Sequence, residues 1–301
     1  MMRSTPSLSI CIPVYNFNAR ALTNDLKTEI LRLGLSERIE IILIDDASSP
    51  EMLEMNSPTD NMVRFISLKE NQGRAKIRNL FLKESCSEYL LFLDADGTVP
   101  HSSFLTTYLQ YLDENDEVDV VYGGRCLPQK KVDTDHWLRW NFAQKRENLS
   151  VKEREKAPYL SFQTNNFLIK KLVFEKIQFR EMLTQYGYED VVFAHDLKQA
   201  GIKIDHINNP IINSDIETNA VYIEKVEASV GNLKLLLERC PQTVEDIKLV
   251  RVSTFLKKIK MASVYRWFFS KNKHQIKQRL LRNGGPLRLL DVYKLGLLLE
   301  K

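Results

Sequence analysis

The residues best suited to chemistry stand at the end of an apolar run. Residues 89–100 read Tyr-Leu-Leu-Phe-Leu-Asp-Ala-Asp-Gly-Thr-Val-Pro. The unbroken apolar and aromatic stretch 89–93 predicts a strand buried on both faces. It ends in two carboxylates one residue apart, Asp94 and Asp96, and then in Gly97, which permits a tight turn. Hard carboxylate oxygens at that spacing suit Mg2+ or Mn2+, which keep open positions for water and substrate phosphates. Taken alone, the stretch is also a strand followed by an ordinary Asp-Gly turn.

Other carboxylates and cations fall at comparable places. Asp45 and Asp46 close a second apolar run, 39–44, where a turn and a helix cap before Glu51 would use the same residues. Glu189 and Asp190 open a later helix, a position that acids favour for dipole reasons. Arg74, Lys76 and Arg78 sit on an amphipathic helix and read as solvated surface. Trp137 and Trp140 are suited to stacking on a ligand or to packing.

The elements that must position these groups alternate. Strands are expected at 8–14, 39–44, 63–68, 89–93 and 118–122, with helices at 19–33, 74–85 and 101–115 between them. That order predicts an α/β layer fold around a mostly parallel sheet, whose ligands collect at the carboxyl ends of the strands. Both acidic strand ends then lie on one edge. After Gly123-Gly124 the pattern loosens: 135–147 reads as a helix or mobile loop, 162–169 as a strand, 170–177 and 186–200 as helices, and 202–207 as a last strand. From about 217 onward only helical periodicity remains, over 221–240, 244–270, 276–281 and 287–299. The expected domains are 1–216, carrying the sheet, and 217–301, a basic helical C-terminal region.

Composition narrows the class. With 301 residues, 44% hydrophobic and 27% charged, the chain suits one large core plus a smaller appendage. Its four cysteines, Cys11, Cys86, Cys126 and Cys240, are widely spaced, which predicts a reducing compartment and no disulfide framework. Neither a signal peptide nor an 18-residue apolar span is expected, so the reading is cytoplasmic, with peripheral attachment to the inner face of the cytoplasmic membrane as an option. The net charge of +4 conceals an asymmetry: residues 248–301 carry 14 Lys and Arg against two acids, and the remainder is net negative.

Five signals occur in order: Ile12-Pro13-Val14-Tyr15-Asn16, Ile44-Asp45-Asp46-Ala47-Ser48, Asn71-Gln72-Gly73, Leu93-Asp94-Ala95-Asp96, and Glu189-Asp190. Over roughly residues 7–215 this series resembles the family 2 glycosyltransferases with the GT-A fold. The resemblance implies a nucleotide-sugar donor, usually a uridine diphosphate sugar. Pro13 and Tyr15 would line the base, and Asp46 would accept a hydrogen bond from it as an exposed carboxylate. Arg74 would lie by the pyrophosphate and Asp94 by the ribose or the metal's water. Asp96 would hold Mn2+ or Mg2+ bridging the phosphates. Asn213 would stand where family members often carry a further metal ligand, a histidine. Asp190 would be the base of an inverting transfer, with Glu189 beside it, and Gln163, Thr164, Asn165 and Asn166 would face sugar or acceptor.

The acceptor implied is a glycan or a lipid-linked glycan of surface polysaccharide synthesis. The basic helical tail, ending one stretch in Trp267-Phe268-Phe269, suits an anionic membrane face and equally a packed helical subdomain; no motif supports nucleic acid. Two competing functions share these residues: metal-dependent nucleotidyl transfer, and non-catalytic nucleotide or glycan binding.

Overall fold

Alternating burial along the first strand sets the frame. In β1, Leu8–Val14, Leu8, Ile10, Ile12 and Val14 join one core layer and Cys11 the other, the two-residue period of a pleated strand. The computed structural model describes residues 6–58, 60–128, 132–183, 186–283 and 285–300. After β1 come α1, Arg20–Leu33; β2, Ile39–Asp45; α2, Pro50–Asn56; and β3, Val63–Ser67. α3, Arg74–Glu84, leads to β4, Tyr89–Leu93, and to the short β5, Gly97–Thr98. α4, Phe104–Glu114, is followed by β6, Val120–Tyr122, and β7, Arg125–Cys126. α5, Trp137–Phe142, runs into a π-helical turn, Ala143–Glu147, and α6, Val151–Arg154, precedes β8, Asn166–Lys170. Then come α7, Lys171–Lys176; α8, Glu189–Gln199; β9, Ile204–His206; and β10, Ile211–Asn213. The remaining helices are α9, Asn219–Arg239; α10, Lys248–Lys258; α11, Ala262–Asn283; and α12, Leu287–Leu299.

The chain clusters into two units. The first comprises Met1–Pro128, Asn148–Thr184 and Phe193–Ser214; the second comprises Gln129–Glu147, Gln185–Val192 and Asp215–Lys301. In the first unit the large sheet has the order β3-β2-β1-β4-β8-β6-β9. β1 pairs in parallel with β2 and β4, and β8 lies antiparallel between β4 and β6. The sheet is thus mostly parallel, as expected, with one reversed strand that the apolar pattern did not signal. Helices cover both faces: Leu22, Leu26 and Ile30 of α1 with Phe104 and Tyr108 of α4 on one, Ile77 and Phe81 of α3 with Phe174 and Phe193 on the other. That double cover explains why all five residues of β4 are buried without alternation. Phe92 of β4 stacks on Phe167 at 4.8 Å and meets Phe174 edge-on at 5.3 Å.

The second unit packs Leu138 with Tyr222, Ile223, Val226, Phe269, Ile276, Leu280, Leu290 and Tyr293. Here the expected helix over 244–270 is broken. Lys260 has φ 60°, its N–H donates to the Lys257 carbonyl at 3.1 Å, and the Met261 N–H reaches the Leu256 carbonyl at 2.9 Å. These two bonds form a Schellman cap with lysine in the place usually taken by glycine. With no glycine or proline to mark it, the stop is invisible to a pattern reading. The separate helix expected at 276–281 is the last part of α11.

Candidate active site

Buried β4 fixes the centre of the site. It is paired to β1 on one side and β8 on the other, so Asp94 and Asp96 leave the sheet from an interior strand. The Asp94 N–H donates to the Asn165 carbonyl at 3.1 Å, and the Gly97 N–H returns to the Asp94 carbonyl at 3.0 Å, closing the turn. Asp94 faces two guanidinium groups: Arg78 at 2.7 Å from Oδ1 and Arg74 at 3.6 Å from Oδ2. The surface reading of Arg78 is corrected, since its side chain is only 2% exposed. It runs inward from α3, also donates to the Arg74 carbonyl at 3.0 Å, and lies 5.8 Å from the Phe179 ring centroid. A guanidinium tolerates such burial because the Asp94 carboxylate meets its charge.

A second, three-stranded sheet, β5-β10-β7, builds the other half of this edge. β10 runs antiparallel to β5 with Asn213 opposite Gly97, and parallel to β7 with Ile211 opposite Arg125. That register joins three side chains. The Asn213 amide donates to Asp96 Oδ2, and the Arg125 guanidinium donates to Asn213 Oδ1. The charged neighbours set the amide orientation, because the reverse would oppose donor to donor and acceptor to acceptor. Ser214 adds its N–H at 3.3 Å and its hydroxyl at 2.8 Å to the Asp96 carbonyl. Gly97 is required for this approach: a Cβ there would lie 2.3 Å from Ile211 Cδ1.

This arrangement gives the Asn213 side chain a protein partner at each end of its amide. Its sole ligating atom, Oδ1, faces a guanidinium, so Asn213 acts as a bridge between Arg125 and Asp96. Arg125, 9% exposed, is the site residue the sequence reading missed. Its only sequence signal is the Gly123-Gly124 pair before it, which allows close backbone packing: a Cβ on Gly123 would lie 2.3 Å from the Tyr108 hydroxyl.

The loops after β1 and β2 are tied to one another. Asn16 N–H donates to Ser48 Oγ and Ser49 N–H to Asn16 Oδ1, both at 2.8 Å. Tyr15 is 56% exposed and Pro13 half-buried beside it. Asp46 departs from the expected exposed carboxylate, being 4% exposed. Its Oδ1 accepts the Gln72 N–H at 2.6 Å and its Oδ2 the Gly73 N–H at 3.0 Å. The carboxylate thereby holds the turn that starts α3, where Gly73 adopts φ 79°, and so fixes where Arg74 and Arg78 begin. Asn165 is buried next to Asp94, and its side-chain Oδ1 has no partner among the described residues. Gln163 accepts from Arg125 at 3.4 Å.

Burial and the Asp94 carboxylate push the Asp96 carboxyl up to about 6, against the pull of Arg125, Arg74 and the Asn213 amide. Among the described residues no three His, Cys, Asp or Glu side chains stand together as a metal-holding group. Asp96 Oδ1 is the carboxylate oxygen left by these bonds. A single hard oxygen fits Mg2+ or Mn2+ where phosphates and water supply the remaining positions. The edge can therefore receive a diphosphate between guanidinium groups, with one protein oxygen for a bridging cation.

Glu189 and Asp190 stand in the first turn of α8, whose start clusters with the second unit. Glu189 is 8% exposed and accepts the Gly187 N–H at 3.1 Å, so its carboxylate helps form the turn entering the helix. Asp190 is half-buried, with Oδ1 accepting the Val191 N–H at 2.8 Å. Within the second unit Trp137 and Trp140 stack on each other, centroids 5.1 Å apart, and Arg139 is held by Glu147 and Glu217 at 2.8 and 3.1 Å.

Comparison with known proteins places this geometry. The model of glycosyl transferase family 2 matches residues 9–178. The poly(ribitol-phosphate) beta-N-acetylglucosaminyltransferase TarP of Staphylococcus aureus is 33% identical over 132 residues, 40% of this chain and 39% of that protein. The chain thus spans well under half of that relative. Among solved structures, the mannosyltransferase PcManGT from Pyrobaculum calidifontis, in complex with GDP-Man and Mn2+, has a TM-score of 0.58 at 15% identity, over 98% of this chain and 86% of that one. Glucosyl-3-phosphoglycerate synthase from Mycobacterium tuberculosis, with Mn2+, UDP and phosphoglyceric acid, has a TM-score of 0.53 at 17% identity, over 78% of each chain. These two likenesses establish the GT-A fold.

Proposed function

This chain belongs to glycosyl transferase family 2, and from that premise we propose that it transfers a sugar from a nucleoside diphosphate sugar to a hydroxyl of a glycan or lipid-linked acceptor, with inversion. The observation that carries the reading is the carboxyl edge of β4, where Asp94 and Asp96 stand among Arg74, Arg78 and Arg125. Such an edge suits a diphosphate leaving group. The polymer-modifying activity named for TarP supports a surface glycan as acceptor, and a uridine diphosphate sugar is the donor preferred here.

Each residue then has a task. Pro13 and Tyr15 line the base, and Asp46 keeps the adjoining turn formed. Asp96 would hold Mn2+ or Mg2+ through its remaining oxygen, and the cation would supply Lewis-acid neutralisation of the diphosphate. Arg74 meets the pyrophosphate charge, while Arg78 holds Asp94 in place. Asn165, with its unpartnered Oδ1, accepts from a sugar hydroxyl. Asp190 takes the proton of the acceptor hydroxyl as that oxygen attacks the anomeric carbon. The new glycosidic C–O bond forms as the bond to the diphosphate breaks, and the electron pair leaves with the nucleoside diphosphate.

The test is a panel of nucleotide sugars with Mn2+ and glycan acceptors, scored for the nucleotide released. Nucleoside diphosphate is expected, and pyrophosphate would instead favour nucleotidyl transfer. Asp190→Asn should lose transfer by at least about 100-fold, the usual scale for a general base, while retaining UDP binding by calorimetry. Turnover near wild type in Asp190→Asn would remove the base assignment. Tight UDP binding without turnover on any acceptor would favour a binding protein.

A further inference from the structure

The second unit carries a surface that the proposed transfer chemistry does not use. Half of the fourteen large hydrophobic side chains exposed among the described residues fall within 252–268. On α10 and its C-cap, Val252, Phe255 and Ile259 recur at helical spacing, and Phe255 is 59% exposed. On α11, Val264, Trp267 and Phe268 do the same, and Trp267 is 67% exposed. These residues are not the core-facing ones, since α10 buries Val250 and Ser253 while α11 buries Phe269, Ile276 and Leu280. The left-handed turn at Lys260 ends one stripe where the other begins, with exposed Met261 between them. Scattered apolar residues need no explanation, but a concentration of this kind marks an interaction surface.

Charge identifies the occupant. Residues 248–290 contain 12 Lys and Arg and no acid. Lys273 and Lys277 are neutralised by Glu300 and Glu227. Arg251, Lys257, Lys258, Lys260 and Lys271 are exposed and Arg266 is half-buried, and none of them has an acidic ion-pair partner among the described residues. They interleave with the apolar stripes. A second copy meeting this surface about a two-fold axis would set these cations against their own images. A nucleic acid would satisfy the cations but leave Val252, Ile259 and Val264 in water. An anionic lipid surface satisfies both, with phosphates for the cations, acyl chains for the aliphatic residues, and an indole at the boundary.

We propose that the α10–α11 corner of this chain is a peripheral membrane-binding surface for anionic lipid. This goes beyond the transfer reaction and is measured without donor or acceptor, so its failure would leave the reading of the active site untouched.

The experiment is partition of the full chain onto sedimenting vesicles of phosphatidylcholine with and without phosphatidylglycerol. Binding is expected only with the anionic lipid and should weaken as salt rises. Quenching by brominated lipid should be largely lost in Trp267→Phe, because Trp137 and Trp140 lie outside the surface. Replacing Lys257, Lys258 and Lys260 together by Gln should weaken partition about 100-fold, from about five-fold per cation, with nucleotide binding and melting temperature unchanged. Phe255→Ser with Phe268→Ser should abolish the quenching in the same folded background. Equal binding to both vesicle types, or unchanged partition of the triple variant, would overturn the proposal. So would a concentration-dependent dimer lost in the serine variant, or oligonucleotide binding, when either occurs without vesicle binding.

Discussion

The pairing of Arg78 with Asp94 predicts an asymmetric response to breaking it from either side. Arg78 is 2% exposed and Asp94 25% exposed, with 2.7 Å between nitrogen and oxygen. At an effective dielectric of about 20, opposite charges 4 Å apart attract by about 4 kcal/mol. Asp94→Ala removes the carboxylate paired with a buried guanidinium, which should destabilise the first unit by roughly 3–5 kcal/mol. Arg78→Met strands a carboxylate that keeps water and Arg74 at 3.6 Å, so its cost should be nearer to about 2 kcal/mol, the worth of one charge-assisted bond. The double variant should fall short of the summed costs by about 1–3 kcal/mol, because no charge is left unpaired. For a unit of this size Asp94→Ala should lower the melting temperature on the order of 10 °C. Calorimetric melts of the four proteins form the cycle. Equal losses from the two single variants, or strict additivity, would refute the claim that Arg78 is a buried charge depending on Asp94.

Other positions offer independent checks. Gly97→Ala puts a Cβ 2.3 Å from Ile211 Cδ1, so it should cost about 1–3 kcal/mol by overpacking and weaken UDP binding; adding Ile211→Val should restore part of both. Lys260→Gly relieves the left-handed lysine at φ 60° and should raise stability by up to about 1 kcal/mol, read as a higher urea midpoint; an unchanged midpoint would mean no strain at that turn. His206 responds to pH: burial and the adjacent Arg154 guanidinium push its imidazole down from 6.5 to about 4. The unfolded chain then takes up a proton before the folded one. This contribution to stability is present above about 6.5 and is lost as pH falls toward 4. His206→Phe should flatten that part of an acid denaturation curve, and an identical slope in the variant would exclude His206 as its source.

Much of the first unit was legible in the sequence because its signals are local. The apolar runs that became β1, β2 and β4, the helical spacing of Leu22, Leu26 and Ile30, and the carboxylates placed just after strand ends all depend on neighbours in the chain. Burial imposes a period of two on a strand and 3.6 on a helix, so side-chain order alone reports them. The order of five short motifs then carried the family, and Asp94, Asp96 and Arg74 were found with it.

What the sequence left open was decided by pairings between distant segments. β5, β7 and β10 have only two or three residues each, too few for any period. Their register nonetheless brings Asp96, Asn213 and Arg125 together from three parts of the chain. The same distance hid the burial of Asp46 under the 72–73 backbone and of Arg78 against Asp94. A charge in sequence reads as surface, because its partner is not adjacent. The Lys260 turn escaped for a different reason: a left-handed residue needs glycine only when nothing else holds the conformation, and here two backbone hydrogen bonds do. Residue type and order determined that this is a GT-A fold with an acidic strand end. Which atoms of that acidic edge remain for a ligand was decided by the tertiary structure, because hydrogen bonds are assigned by proximity in space.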